Sequence, residues 1–138
     1  MKLLTFQARH FGWEPFSQTL DDVPDPGPPG SVDDAAVVFM HIEAADVGEA
    51  RRASVFKKTL KHVKWIANKR GLESVVLHSF THLGGETADA EAARAFMREL
   101  AERLDKTGYV VSITPFGWFS SWDLSVYGES LAKVYKEL

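Results

Sequence analysis

Two continuous apolar runs, Ala35–Ile42 and Ser74–His78, are each followed by a segment whose apolar residues recur at helical spacing. Short runs of this kind, rich in β-branched residues, are typical of buried strands. Helices that alternate with such strands are typical crossover connections between parallel strands. The sequence therefore predicts an α/β domain with a parallel segment at the centre of its sheet.

The first helix is predicted over about residues 48–70. Its apolar residues recur at i, i+4, i+7 and i+11, and Gly71 stands where a helix would end: Phe56, Leu60, Val63 and Ala67. A second helix is predicted to begin after Thr87 or Asp89 as N-cap, and Gly108 is expected to end it. Its apolar stripe is Ala93, Phe96, Met97, Leu100 and Leu104.

The remaining segments predict further strands near both ends of the chain. We expect strands at Leu3–Phe6, Tyr109–Ile113 and Trp122–Tyr127, a surface loop over Asp22–Ser31 and a short C-terminal helix over about 130–137. The aromatic segment 11–16 fits either a strand or a loop. Adjacent strands near the two ends should pair antiparallel, so we expect a mixed β-sheet with crossover helices on one face. The other face would then need another layer or a partner subunit.

Length and composition indicate a single domain over residues 1–138. The chain is 45% apolar and 25% charged, which is typical of one globular domain. The absence of cysteine excludes a disulfide framework, a thiolate zinc site and a cysteine nucleophile. No apolar run reaches the length of a membrane span or of a secretory signal, so we expect no membrane contact and a cytoplasmic location.

The charge of the chain is unevenly distributed. The net charge is −3, yet residues 50–72, here called the basic segment, hold eight of the 16 basic residues and no acidic residue. Five lysines fall opposite the apolar stripe of the first helix, beside Trp65: Lys57, Lys58, Lys61, Lys64 and Lys69. This lysine face fits a solvated surface, and it also fits binding to a phosphate backbone.

The segment His78–Thr87 joins the end of a buried strand to the start of a helix. Ligands of open α/β sheets bind at such strand ends, where free amides at the helix start attract anions. His82, in the loop, is the candidate functional histidine, whereas His78 adjoins an apolar run and is expected in the core. We predict no metal site, because no cysteine or acidic residue completes a ligand set with this pair.

A second candidate segment, Thr114–Trp122, places four large rings around a proline and a glycine at a strand end. It could form a stacking wall for a planar ligand such as a base, or a hydrophobic corner or subunit interface. The chain has no G-x-S-x-G, Walker A or G-x-G-x-x-G motif, so serine-hydrolase, P-loop and dinucleotide-binding functions lose their usual support.

Three ordered motifs resemble the archaeal-type threonyl-tRNA synthetase editing domain: Leu77–Gly85, Thr114–Phe119 and Gly128–Ala132. The resemblance spans nearly the whole chain and implies a fold similar to D-aminoacyl-tRNA deacylases, commonly paired as a homodimer. It implies hydrolysis of the ester that links serine to threonine tRNA, without a cofactor. Here we expect the domain to stand alone, without the aminoacylation domain that it normally precedes.

The resemblance also implies roles for particular residues. His82 and Ser120 would be catalytic, and the aminoacyl group and terminal adenosine would contact Ile42, Glu43, Ser79, Phe80, Thr81, Gly84, Phe116, Gly117, Trp118 and Phe119. Two segments depart from the family pattern. Ser120 replaces a lysine that is implied to position the attacking water, and residues 128–133 read Gly-Glu-Ser-Leu-Ala-Lys where the family has Gly-His-Pro-Leu-Ala-Glu, so that Lys133 replaces a glutamate.

Three hypotheses follow from these observations. The first is a freestanding, trans-acting deacylase that removes serine, or another small amino acid, from threonine tRNA. The second is a catalytically silent tRNA- or nucleotide-binding protein whose lysine face holds the RNA. The third is an accessory subunit that docks on a threonyl-tRNA synthetase through Trp65, Trp118 or Trp122.

Overall fold

The computed structural model describes all 138 residues as one six-stranded mixed sheet with two α-helices. The strands are β1 (Lys2–Gln18), β2 (Gly30–His41), β3 (Ser74–Ser79), β4 (Val110–Ile113), β5 (Trp118–Val126) and β6 (Lys133–Glu137). The helices are α1 (Glu49–Asn68) and α2 (Ala90–Asp105). Neither helix combines the length and apolarity that crossing a membrane requires.

The centre of the sheet is parallel, as predicted. Strands β2, β3 and β4 pair in parallel, with α1 and α2 as the connections between them. Both helices turn their apolar stripes to one face of the sheet, where the main core includes Val38, Leu77, Val63 and Phe96. Both helices are followed by the predicted glycines, Gly71 and Gly108, which have positive φ angles of 68° and 98°.

Strand β1 is a single strand of 17 residues that includes the aromatic segment 11–16. It pairs antiparallel with β2 along one edge, and its other edge pairs first with β6 and then with β5. The expected antiparallel pairing of adjacent strands is therefore present at the N-terminal end, between β1 and β2, and absent at the C-terminal end. The structure differs from expectation in the partner, because β5 pairs with β1 and not with its neighbour in sequence, β4.

The predicted C-terminal helix over 130–137 is wrong. The structure has a short 3₁₀ turn at Ser130–Ala132 and then strand β6, whose residues pair with Lys2–Phe6 of β1. Without β6, this part of β1 would leave a row of unpaired backbone groups at the sheet edge. Pairing with a strand about 130 residues away therefore decides the conformation of this segment.

The second face of the sheet is covered by the sheet itself. Trp122 of β5 pairs with Trp13 of β1, and Trp13 pairs with Gly30 at the start of β2. If β2 were straight, Gly30 would lie about 30 Å from Phe39, which is near the other end of the same strand. The rings of Trp122 and Phe39 nevertheless lie only 4.8 Å apart. The far ends of β1, β2 and β5 must therefore bend back over this face.

Two backbone features accompany the bend. The register between β1 and β5 shifts between Ala8 and His10, and Asp34 of β2 has a positive φ of 49°. Such a shift is a β-bulge, which bends a strand and increases its twist. The chain thereby supplies the second layer that the sequence analysis left open.

Candidate active site

A cavity of about 570 Å³ opens at the carboxyl ends of β2, β3 and β4. Ten of the twelve residues predicted for the site line it: Ile42, the segment Ser79–His82 and the segment Phe116–Ser120. Segments separated by more than 70 residues therefore meet at one place, where ligands of α/β sheets commonly bind. The volume lies within the usual range for small-molecule sites, about 300–1,000 Å³.

The loop that carries His82 is fastened to the end of β2 at four points. The Phe80 amide donates to the Met40 carbonyl at 2.9 Å, and the Ala88 amide donates to the Ile42 carbonyl at 2.9 Å. Between them, the buried imidazole of His41 accepts from the Leu83 amide through Nδ1 at 3.1 Å, while its Nε2 lies 3.4 Å from Thr87 Oγ1. His41 is thus a positioning residue for the loop.

The side chain of His82 is exposed in the loop and makes no hydrogen bond with the protein. Its ring packs edge-on against Phe80 at 5.1 Å, and Phe80 packs against Phe39 at 5.2 Å. A chain of rings therefore connects the core to the imidazole while leaving its nitrogens free. No group of three or more His, Asp or Glu side chains comes together as it would to hold a metal ion.

Two polar side chains lie deeper in the cavity wall. His78 is buried, as the sequence predicts, and its Nδ1 lies 2.7 Å from Thr114 Oγ1. Burial lowers the pKa of the His78 imidazole to about 4, so the ring is neutral at pH 7. The Ser120 hydroxyl is also buried and has no hydrogen-bond partner in the protein. A buried hydroxyl without a partner is costly and is a candidate contact for a ligand.

The buried histidines predict a stability that depends on pH. Burial lowers the pKa of His78 to about 4, and burial together with the nearby Lys136 lowers the pKa of His62 to about 4. An unfolded histidine titrates near pH 6.5, so between 6.5 and 4 the unfolded chain binds more protons than the folded one. We expect the free energy of unfolding to fall by about 2 kcal/mol or more from pH 7 to pH 5.

Urea denaturation at both pH values measures this difference, and the His78→Gln variant should lose part of it. A free energy of unfolding that stays constant from pH 7 to pH 5 would contradict the prediction.

Glu43 and Gly84 are the two predicted residues that the structure does not bring to the cavity. The Glu43 carboxylate binds the buried amine of Met1 at 2.6 Å and also the Lys2 ammonium, and Gly84 lies against the Lys2 side chain. Hydrogen bonds from Lys2 and the amine lower the pKa of Glu43 to about 2. The Glu43 carboxylate therefore binds the two charges at the N-terminal end of the chain, the Met1 amine and the Lys2 ammonium.

The amides at the start of α2 are less free than expected. Asp89, and not Thr87, is the N-cap, and its carboxylate accepts from the Glu91 and Ala92 amides at 3.1 and 3.2 Å. The backbone amides of Thr81 and His82, in contrast, donate to no group of the protein. The donors available to a ligand at this end of the sheet are therefore those of the loop.

The opposite wall begins with a tight turn before β5. Gly117 has a φ of +80°, and a Cβ atom there would lie 2.7 Å from Val23 Cγ1, so the turn requires glycine. The Thr19 amide donates to the Gly117 carbonyl at 2.8 Å, and Trp118 Nε1 donates to the Pro24 carbonyl at 3.3 Å. These bonds hold the loop between β1 and β2, which contains four of the six prolines, beside the cavity.

The lysine face lies on the solvent side of α1. The three arginines of the basic segment are each paired with a carboxylate: Arg51 with Asp46, Arg52 with Glu99 and Arg70 with Glu129. None of its lysines forms an ion pair, and Trp65 beside them is 42% exposed. The lysine charges are therefore available to a partner.

Several lining residues were not predicted from the sequence. They include Phe16 and Leu20, together with His78, which was expected in the core; Trp122 was predicted only as part of the aromatic segment Thr114–Trp122. Positioning by His41 was missed as well. Phe16 and Leu20 come from a part of the chain that carries no motif, and only the bend of the sheet brings them to the cavity. A histidine at the end of a buried strand was the one available signal for His41.

Comparisons with known proteins agree with this architecture. The profile of the archaea-specific editing domain of threonyl-tRNA synthetase matches residues 1–138. The threonine-tRNA ligase of Thermofilum pendens is 31% identical over 140 residues, and that of Thermococcus kodakarensis is 26% identical over 141 residues. Each alignment covers 100% of this chain and 22% of the relative, so the chain spans about a fifth of their length.

Among solved structures, the c-Myc DNA Unwinding Element Binding Protein matches with a TM-score of 0.66 at 15% identity. The match covers 100% of this chain and 99% of that one. It confirms the mixed α/β, deacylase-like fold that the sequence analysis expected.

Proposed function

Because the chain belongs to the archaea-specific editing-domain family of threonyl-tRNA synthetase, we propose that it hydrolyses mischarged threonine tRNA, with serine as the amino acid removed. The observation that carries the proposal is the meeting of Ile42, Ser79–His82 and Phe116–Ser120 around one cavity. Family membership implies a role in tRNA editing. The freestanding action and the choice of serine are part of the proposal.

In the proposed complex, the terminal adenosine enters between the loop wall and the aromatic wall of the cavity. Backbone groups of Ser79–Thr81 and the end of β2 at Ile42 bind it on one side, and Phe119 flanks it on the other. The rings of Phe80 and Trp122, 5.6 Å apart, offer apolar surface to the nucleoside. The ester then lies near the loop that carries His82.

The proposed reaction is attack of water on the ester carbonyl carbon, followed by cleavage of the bond to the ribose oxygen. His82 is a candidate to accept the proton of the water, because its ring nitrogens make no hydrogen bond with the protein and an imidazole nitrogen can accept a proton. The free amides of Thr81 and His82 are candidates to stabilise the oxyanion. The proton finally passes to the ribose oxygen, which gives free serine and tRNA.

Ser120 should make this enzyme slower than relatives that carry a lysine there. A neutral hydroxyl can orient a water molecule but cannot supply positive charge to the transition state. Loss of one such group commonly costs about 100-fold in rate. Glu43 and Gly84 lie outside the cavity, so we propose that they support the terminus of the chain and do not touch the substrate.

The test is a deacylation assay over a panel of mischarged tRNAs at micromolar protein. We expect release of serine from threonine tRNA in the absence of any synthetase, and no release of the correct threonine. Release no faster than in the control without protein would overturn the proposal. Gel filtration and a pull-down with threonyl-tRNA synthetase test the expected homodimer and the expected partner, which would act with the domain in the cytoplasm.

The second candidate is an RNA-binding protein without turnover, favoured by the unpaired lysines of the lysine face and by Ser120 in place of a lysine. In either case we propose that Lys57, Lys58, Lys61 and Lys64 bind the phosphate backbone of the tRNA. The two candidates differ in one measurement, because only the first releases an amino acid.

The double variant Lys57→Glu, Lys61→Glu is expected to bind threonine tRNA at least tenfold more weakly. Each lysine that contacts a phosphate releases about one counterion, so the slope of log affinity against log salt should fall by about two. Filter binding at several salt concentrations measures both quantities.

The matched control is Arg103→Glu, Lys106→Glu at the end of α2, which changes the net charge by the same amount. Equal losses in the two double variants would show a general charge effect and would contradict a specific lysine face.

A further inference from the structure

Phe16 is the most exposed large apolar side chain of the protein, at 83% exposure. It lies near the end of β1, where the register with β5 shifts: Pro15 pairs with Ser120, and Ser17 pairs with Phe119. Phe16 is therefore the unpaired residue of a β-bulge. Bulges of this kind commonly re-aim a side chain beside a functional site.

The re-aimed side chain lies at the rim of the cavity. Phe16 and Phe119 both line it, and at 83% and 57% they are the two most exposed large apolar residues of its lining. The other rings of the wall, such as Phe80, pack against the core. Two neighbouring phenylalanines therefore flank the opening through which a bound chain must leave.

The chemistry of the lining favours a nucleic acid at this rim. None of the 20 lining residues is an aspartate or a glutamate, although the chain has 19 such residues. The lining also has no lysine or arginine, so the contact that it offers to a strand at the opening comes from its rings and not from charge. Exposed aromatic rings in such a setting bind unpaired bases by stacking, which tolerates any base because every base has a π face.

We propose that Phe16, next to Phe119, forms a second nucleotide subsite that stacks on the unpaired base preceding the terminal adenosine. This inference rests on the proposed function, because the terminal nucleoside must occupy the interior for its ester to approach His82. The next nucleotide of the strand then lies at the opening. With this subsite, the protein binds two bases of the acceptor end and not one.

The test uses a short RNA that ends in CCA, carries no amino acid and has 2-aminopurine in place of the last cytosine. Stacking on a phenylalanine should quench the 2-aminopurine fluorescence. We expect Phe16→Ala and Phe16→Leu to weaken binding of this RNA about 5- to 10-fold and to lose the quenching, whereas Phe16→Tyr retains both. Binding of adenosine alone should be unchanged in all three variants.

The matched control is Tyr135→Ala, which removes a 51%-exposed aromatic side chain of β6 outside the cavity lining. It should bind the RNA like the unaltered protein. Unchanged affinity and quenching in Phe16→Ala would overturn the subsite, and so would a Phe16→Leu protein that behaves like the unaltered one. If the unaltered protein binds neither adenosine nor the RNA, the proposed function fails, and the subsite fails with it.

Discussion

The His82→Ala variant is expected to release serine from mischarged threonine tRNA at least 100-fold more slowly than the unaltered protein. A positioned general base contributes about 10²- to 10⁴-fold, and no other imidazole in the cavity is exposed. His78 cannot take over, because burial holds its pKa at about 4 and its Nδ1 faces Thr114. Single-turnover deacylation at saturating protein measures the chemical step directly.

A control separates this effect from a general loss of histidine. His10→Ala removes a partly exposed imidazole that does not line the cavity and that pairs with Asp33 at 2.6 Å. We expect His10→Ala to retain deacylation, and we expect His82→Ala to retain tRNA affinity. A His82→Ala protein that cleaves at the original rate would show that the imidazole is not needed, and the loop amides would then carry the chemistry.

The Phe39→Ala variant is expected to lower the free energy of unfolding by about 3–5 kcal/mol. Phe39 is 3% exposed, and five rings lie within 6.0 Å of its own, centroid to centroid. They are Phe6, Phe11, His78, Phe80 and Trp122. Because these rings join the flat part of the sheet to the part that bends over it, removing the central ring leaves a cavity that its neighbours cannot easily fill.

Urea denaturation at pH 7 measures the loss. Phe16→Ala is the matched control, because it removes the same side chain from a position that is 83% exposed and should change the free energy of unfolding by less than about 0.5 kcal/mol. A loss below about 1 kcal/mol in Phe39→Ala would mean that the bent strands do not depend on this ring cluster. Since Phe80 and Trp122 also line the candidate site, deacylation should fall together with stability.

The parts of the fold that local sequence pattern determines were predicted well. The apolar stripes of α1 and α2 follow the helical period, because the buried positions of a helix recur every three to four residues. The strands β2 and β3 were predicted from continuous apolar runs, which place their residues in the core. The loop from β3 to α2 was predicted for the same reason. Its motif also led to the family, which the comparisons confirm.

The prediction failed where a segment depends on a distant partner. Residues 133–137 have no local pattern that separates a short helix from a strand, and β1 decides between them by offering an unpaired edge. The surroundings of Glu43 also depend on distant residues, because its carboxylate binds the buried Met1 amine and the Lys2 ammonium. Neither partner is visible from the residues around the position.

The sequence by itself determined the two helices, the parallel strands and the motifs that surround the cavity, because each depends on residues a few positions apart. Only the tertiary structure decided that β6 completes the sheet, that the ends of β1, β2 and β5 fold over its open face, and that Phe16 reaches the cavity rim. These features arise from backbone pairing and ring packing between residues far apart in the chain, and local periodicity carries no record of such contacts.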